Sequence, residues 1–239
     1  MTDSSYFIPE NALLDSRREY VSDSGQYKLV VTPYQTKKGC WNYSQGLVFR
    51  VGADLPIMEV RRNYGHFPFS FIEDHPNGHP YLVCGENYQG QTVIELDTGT
   101  RRDSLPEEAS QGFGFCWADY QFDPASRLLI VDGCFWACPY EYRFYDFSDP
   151  MQGWPELKFD GAYSEDKWPE ITSDGLIHCY EPEPTAEDAE DTPAEQRGMA
   201  CIRTYRRHGH ELRFVSEWVS EVEAQRRQAR AESHQEDEG

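Results

Sequence analysis

Basic residues are scarce. The 239-residue chain holds 22 Lys+Arg against 42 Asp+Glu, a formal charge of −20. Attraction to nucleic-acid phosphates needs clustered Lys and Arg, so no direct nucleic-acid partner is expected and a basic protein is favoured instead. Long apolar runs are missing too. Nothing approaches the ~18 consecutive apolar residues of a membrane span, and Leu128-Leu129-Ile130-Val131 has only strand length. No membrane partner is therefore expected. The opening segment from Met1 to Phe7 lacks a basic stretch leading into an apolar one and does not read as a secretory signal. Cysteines number seven, an odd count spread through the chain, which argues against a disulfide framework and for thiols in the cytoplasm. No phosphate loop, dinucleotide fingerprint, HExxH or GxSxG element occurs, so no cofactor is implied.

Aromatics, by contrast, are plentiful: 6 Trp, 15 Tyr and 13 Phe, enough to predict a folded core. Short β-rich runs recur at Tyr27 to Val31, Tyr81 to Cys84, Leu128 to Val131 and Leu176 to Cys179. Each follows a turn-forming cluster: Ser22 to Gly25, His75 to Gly78, Asp123 to Ser126 and Ser173 to Gly175. Leu29, Leu82, Leu129 and Leu176 are then equivalent points, separated by 53, 47 and 47 residues. A second strand follows in each unit at Leu47 to Val51, Thr92 to Leu96, Tyr142 to Tyr145 and Ala200 to Thr204. Weaker outer strands are expected at Ile57 to Val60, Arg101 to Leu105, Glu156 to Phe159 and Leu212 to Val215. Leading strands complete four per unit, at Arg18 to Val21, Phe69 to Ile72, Phe115 to Gln121 and Trp168 to Ile171.

This pattern of four-stranded units resembles the blades of β-propellers of the WD-repeat kind. The likeness lies in strand spacing and turn placement, without the Gly-His and Trp-Asp pairs of that repeat. It implies an all-β fold, a small four-bladed β-propeller-like domain over residues 18–218; an antiparallel β-sandwich is the alternative. Residues 1–17 form an N-terminal arm. The acidic, Pro-rich stretch 181–198 reads as a disordered insertion. Residues 216–239 read as a short C-terminal α-helix, with Trp218, Val219 and Val222 at helical spacing and Ser220 with Glu223 as a capping box, fraying into a charged tail.

In such a blade, loops between second and third strands share a rim with the blade-linking segments. The first three of these loops are aromatic, which singles out Trp41, Tyr43, Tyr88, Phe135, Trp136 and Tyr140 as partner-binding candidates. Asn63-Tyr64-Gly65-His66 and Gly112-Phe113-Gly114 join them from the links. The expected function is a non-enzymatic cytoplasmic protein-binding module, such as an inhibitor or immunity protein that neutralises a basic partner. The alternative is an enzyme with a thiol or carboxylate site at the propeller axis. Gly133-Cys134-Phe135-Trp136 is similar to the nucleophile loop of peptide-methionine sulfoxide reductases, which implies a thiolate at Cys134. That family places an acid soon after the Trp, whereas Ala137 to Tyr140 precede Glu141 here. Cys134 with Cys138, and His75 with His79, are only pairs, so no metal site is expected. Glu86 with Asp132, or Asp119 with Asp123, are acid/base pairs of the sort that chance supplies among 42 acidic residues.

Overall fold

The computed structural model describes residues 4–135, 139–160, 162–163, 167–183 and 198–237. Among them the chain forms four four-stranded sheets in sequence order. The first comprises β1 (Arg18–Val21), β2 (Tyr27–Gln35), β3 (Asn42–Arg50) and β4 (Met58–Arg62). In the second are β5 (Ser70–Ile72), β6 (Tyr81–Cys84), β7 (Gln91–Glu95) and β8 (Thr100–Ser104). The third holds β9 (Cys116–Asp123), β10 (Leu128–Cys134), β11 (Tyr140–Asp146) and β12 (Ala162–Tyr163). The fourth is β13 (Glu170–Ile171), β14 (Leu176–Pro182), β15 (Met199–His208) and β16 (Glu211–Val219), followed by α1 (Glu221–Asp237). Each sheet is an up-and-down antiparallel meander with strands adjacent in chain order.

The turns between first and second strands explain the strand spacing. Gly25, Gly78 and Gly175 take positive φ of 71°, 84° and 78°, a region that costs a glycine no steric clash. In the third sheet Arg127, with φ 57°, fills a left-handed position next to the corresponding turn, where an L side chain costs about 1 kcal/mol or more. The turn holds because Asp123 Oδ2 accepts from the Ser126 N–H at 2.6 Å.

The chain divides into two compact units, Met1–Cys138 with Tyr145–Pro155, and Pro139–Phe144 with Glu156–Gly239. In the first, Leu29, Val31, Val48 and Val60 of the first sheet pack on Leu82, Cys84, Ile94 and Leu96 of the second. The opposite face of the second sheet, with Tyr81, Val83 and Val93, packs on Trp117, Leu129 and Val131 of the third. Strand β6 is buried at every residue for this reason. In the second unit, Phe144 of β11 meets Phe159 edge-on at 5.0 Å, and Phe159 meets Tyr205 of β15 in the same way. No helix among the described residues is long and apolar enough to cross a membrane.

Three boundaries differ from the expectations. Glu156 to Phe159 form no strand of the third sheet; β12 at Ala162–Tyr163 pairs with β11 instead. Pro155 has no N–H to lend a ladder at the start of that stretch. Its remaining groups serve two elements: Leu157 N–H donates to Phe144 O at 2.8 Å, and Lys158 N–H donates to His210 O at 2.9 Å. Trp218 and Val219 lie in β16, opposite Ile202 and Cys201, because a backbone ladder outweighs helical side-chain spacing. Helix α1 starts after Ser220, whose Oγ accepts from the Glu223 N–H at 3.2 Å, and it runs on through the stretch expected to fray. Pairs Glu223–Arg226 and Glu223–Arg227 at helical spacing support it. Finally, Glu181 and Pro182 close β14, so the acidic insertion starts later than expected, and its residues 184–197 lie outside the described residues.

Replacing Arg127 by Gly is expected to raise stability by roughly 0.5–1 kcal/mol, by removing a strained left-handed residue at some cost in unfolded-chain entropy; denaturant unfolding measures it. A second expectation concerns acid. Glu217 of β16 bonds Arg227 of α1 at 2.9 Å and Arg203 at 3.0 Å, and hydrogen bonding from Arg227 holds its carboxyl down at about 2. Since the folded value is depressed, this contribution is whole above the ordinary carboxylate value of 4.5 and is lost as pH falls from there towards about 2. Helix α1 should therefore loosen over that window, seen as faster amide exchange in α1, and Glu217→Gln should show the loosening already at pH 7.

Candidate functional site

The candidate site is built by the residues that end β4 and begin the link to β5. Arg62 is 3% exposed, and no carboxylate pairs with it among the described residues. Its guanidinium is satisfied by carbonyl oxygens: Nε donates to His66 O at 2.8 Å, and Nη1 to Gly85 O at 2.7 Å and Asn87 O at 3.1 Å. Burial pushes its pKa below the ordinary arginine value. Gly85 is glycine by necessity: a Cβ there would lie 2.5 Å from Gly90 O and 2.8 Å from Arg62 Nη1.

Asn63 continues the clamp. Its N–H donates to Glu86 O at 3.0 Å, its Oδ1 accepts from the Tyr88 N–H at 2.9 Å, and its carbonyl accepts from the Trp41 indole N–H at 2.7 Å. Two successive residues thus tie the β2–β3 loop and the β6–β7 loop to one point. Tyr64, the next residue, is flanked by Trp41 at 5.3 Å between ring centroids and by Tyr88 at 6.1 Å. Trp41 is 47% and Tyr64 40% exposed while Tyr88 is half-buried, so two open rings and one partly covered ring make a strip whose indole N–H is already bonded. The Gly114 N–H donates to Gln89 Oε1 at 2.6 Å, fastening the next link, which carries the exposed Phe113, to the same loop.

The other candidates fall elsewhere. Tyr43 stacks on Tyr6 of the arm, with centroids 4.3 Å apart and planes 9° apart. Phe135 is exposed and meets Phe115 edge-on at 5.4 Å. Tyr140, also exposed, belongs to the second unit. Trp136 and Cys138 lie outside the described residues. Sequence reasoning noted Tyr64 in the link but left it out of the binding set, and it missed Arg62 and Tyr6. No sequence sign marked Arg62, because β4 reads Met58-Glu59-Val60-Arg61-Arg62 and the neighbouring Arg61 looks the same.

Two cavities of about 460 Å³ each adjoin these elements. One lies among the arm, β3 and the rim end of the second sheet, walled by Tyr6, Tyr43, Asn63, Glu86, Gln91 and Asp103 among others. The other is bordered by Arg18 and Tyr20 of β1, by His66 and Phe69 of the link, and by Asp119 of β9. His66 has its pKa lowered by burial first and by the Arg62 charge second.

Burial pushes Cys84 and Cys179 up to about 12 and Cys201 up to about 11, far from the thiolate that a nucleophile needs. Cys134 is buried at the end of β10, opposite Cys116. The carboxylate pairs are occupied: Glu86 by Arg101 at 2.9 Å, Asp123 by its turn. His75 is buried, bonding Phe147 O at 2.8 Å and Asn77 Oδ1 at 2.6 Å. His79 is turned to Asp97 at 2.8 Å and Glu95 at 3.9 Å. The three ligand atoms of that group lie within 4.8 Å of one another, and the hydrogen bond that His79 donates to Asp97 raises the His79 pKa.

No protein-family model matches the chain. Over 166 residues, 70% of its length, it is 42% identical to "Uncharacterized protein R762" of Acanthamoeba polyphaga mimivirus. The match spans 63% of that relative's length.

Arg62→Ala should cost about 3 kcal/mol or more, because three buried carbonyls lose their donor, and it should release the β6–β7 loop. Denaturant unfolding together with amide exchange at Glu86 to Gly90 tests both effects.

Proposed function

We propose that the chain is a non-enzymatic, cytoplasmic protein-binding module whose aromatic strip captures a basic partner, as an inhibitor or immunity protein does. The observation that carries this reading is the strip Trp41–Tyr64–Tyr88, whose first two rings are open to solvent yet held by the Asn63 clamp. Aromatic anchors that lose little freedom on binding are what interface hot spots consist of. The charge of −20 supplies attraction to a basic surface and speeds encounter. Six thiols among the described residues suit a reducing compartment.

The scaffold in this reading is a small four-bladed β-propeller. Three features support it over the sandwich. The sheets are separate meanders in chain order. The second sheet is buried on both faces by its sequence neighbours. Edge strands β1 and β9 and the entry to β5 border one cavity, as innermost strands around an axis would.

Capture from native lysate at low salt should yield a protein with a pI of about 9 or above. Trp41→Ala and Tyr64→Ala should each weaken its binding by about 2 kcal/mol, near 30-fold, and association should slow as salt rises. Undiminished binding by the double variant, or capture of no basic protein, would sink the reading.

A further inference from the structure

We propose that the cavity between the N-terminal arm, β3 and the rim end of the second sheet receives an arginine side chain supplied by the basic partner. The inference rests on the protein-binding reading and adds what that partner inserts. At about 460 Å³ the cavity has room for a long side chain and accompanying water. None of the described residues lining it is cationic, whereas Glu86 and Asp103 both line it. These two carboxylates share one guanidinium, with Arg101 Nη2 reaching Glu86 Oε2 at 2.9 Å and Asp103 Oδ1 at 2.8 Å. One formal negative charge is left over, and Glu86 Oε1 accepts no hydrogen bond among the described residues.

Two further groups line the wall. Gln91 is 5% exposed, and its side-chain amide has no partner among the described residues although the residue borders the cavity. Its amide atoms are not fully buried, so they face the solvent of the cavity and can exchange that water for a ligand. The Tyr6–Tyr43 stack offers an aromatic surface beside the carboxylates. A flat cation with several N–H donors matches this combination best: a guanidinium donates to carboxylate and amide oxygens, stacks on tyrosine, and sheds water more readily than an ammonium. An anion would be repelled, and a neutral polyol would leave the surplus charge unused. The cavity also adjoins the strip, because Asn63 lines it while bonding Trp41 and Tyr88. One inserted residue could thus follow from docking on the rings.

The test uses the full chain and N-acetyl-arginine amide as probe, followed by NMR, with the N-acetyl-citrulline amide as uncharged control. Saturable shifts are expected at Tyr6, Tyr43 and Gln91, with a dissociation constant on the order of 1 mM for so small a ligand. Citrulline should bind at least ~10-fold more weakly, and Glu86→Gln, its circular dichroism unchanged, should weaken arginine binding by roughly the same factor. Trp41→Ala should leave probe binding intact while weakening capture of the protein partner by about 30-fold. No saturable shift, equal binding of citrulline, or indifference to Glu86→Gln would overturn the proposal. Failure of the probe with Trp41-dependent capture preserved defeats this inference alone. Probe binding without Trp41-dependent capture defeats the protein-binding reading and leaves the cavity a site for free guanidinium compounds.

Discussion

A sheet buried on both faces must find two partners, and this constraint governs the first unit. Strands β6 and β7 carry Leu82 and Ile94 towards the first sheet and Val83 and Val93 towards the third. At roughly 25 cal/mol per Å² of apolar surface, each fully buried aliphatic side chain contributes about 1.5–3 kcal/mol. The second sheet therefore cannot lose either neighbour cheaply. Successive short sheets then have to be linked by a chain crossing from the last strand of one to the first strand of the next, and such crossings are where backbone polar groups risk being buried unpaired.

Arg62 and Asn63 answer that risk at the first crossing. Four carbonyls from one loop and the link, of His66, Gly85, Glu86 and Asn87, are bonded by these two residues. A guanidinium suits the task because it has donors to spare and pairs with carbonyls without needing a carboxylate. Burial lowers the His66 pKa, and the charge of Arg62 adds to that. The rings beside Arg62 inherit this order, since both Trp41 and Tyr88 are hydrogen-bonded to Asn63. Rigidity at the rim is thus a by-product of satisfying a buried crossing.

Most strands were legible because each obeys a local rule: a turn cluster, then a β-branched or aromatic run, then another turn. β1 and β6 occupy the expected residues, and the glycines at 25, 78 and 175 sit where positive φ is required. Failures came where a long-range partner overrode local pattern. Trp218 and Val219 have helical spacing but are claimed by the β15 ladder. Leu157 and Lys158 look like a strand but divide their hydrogen bonds between Phe144 and the β15–β16 turn. Arg127 has no sequence mark of a left-handed residue, because the surrounding ladder imposes that conformation on it. The binding candidates show the same limit: spacing put Trp41 and Tyr88 in the β2–β3 and β6–β7 loops, but the ring between them, Tyr64, comes from a link whose path no periodicity describes.

The acidic composition acquires meaning from this arrangement. Exposed carboxylates scattered over a surface mostly serve solubility and bind little. Carboxylates held by a shared arginine inside a concave wall differ, because they are oriented and partly shielded from screening. Glu86 is such a group, pinned through its backbone to Asn63 and through its side chain to Arg101. The same backbone bond that closes the buried crossing therefore fixes the position of a surface charge. Shape and electrostatics at this rim are not separable: loosening the Arg62–Asn63 clamp would displace the aromatic rings and the carboxylate together.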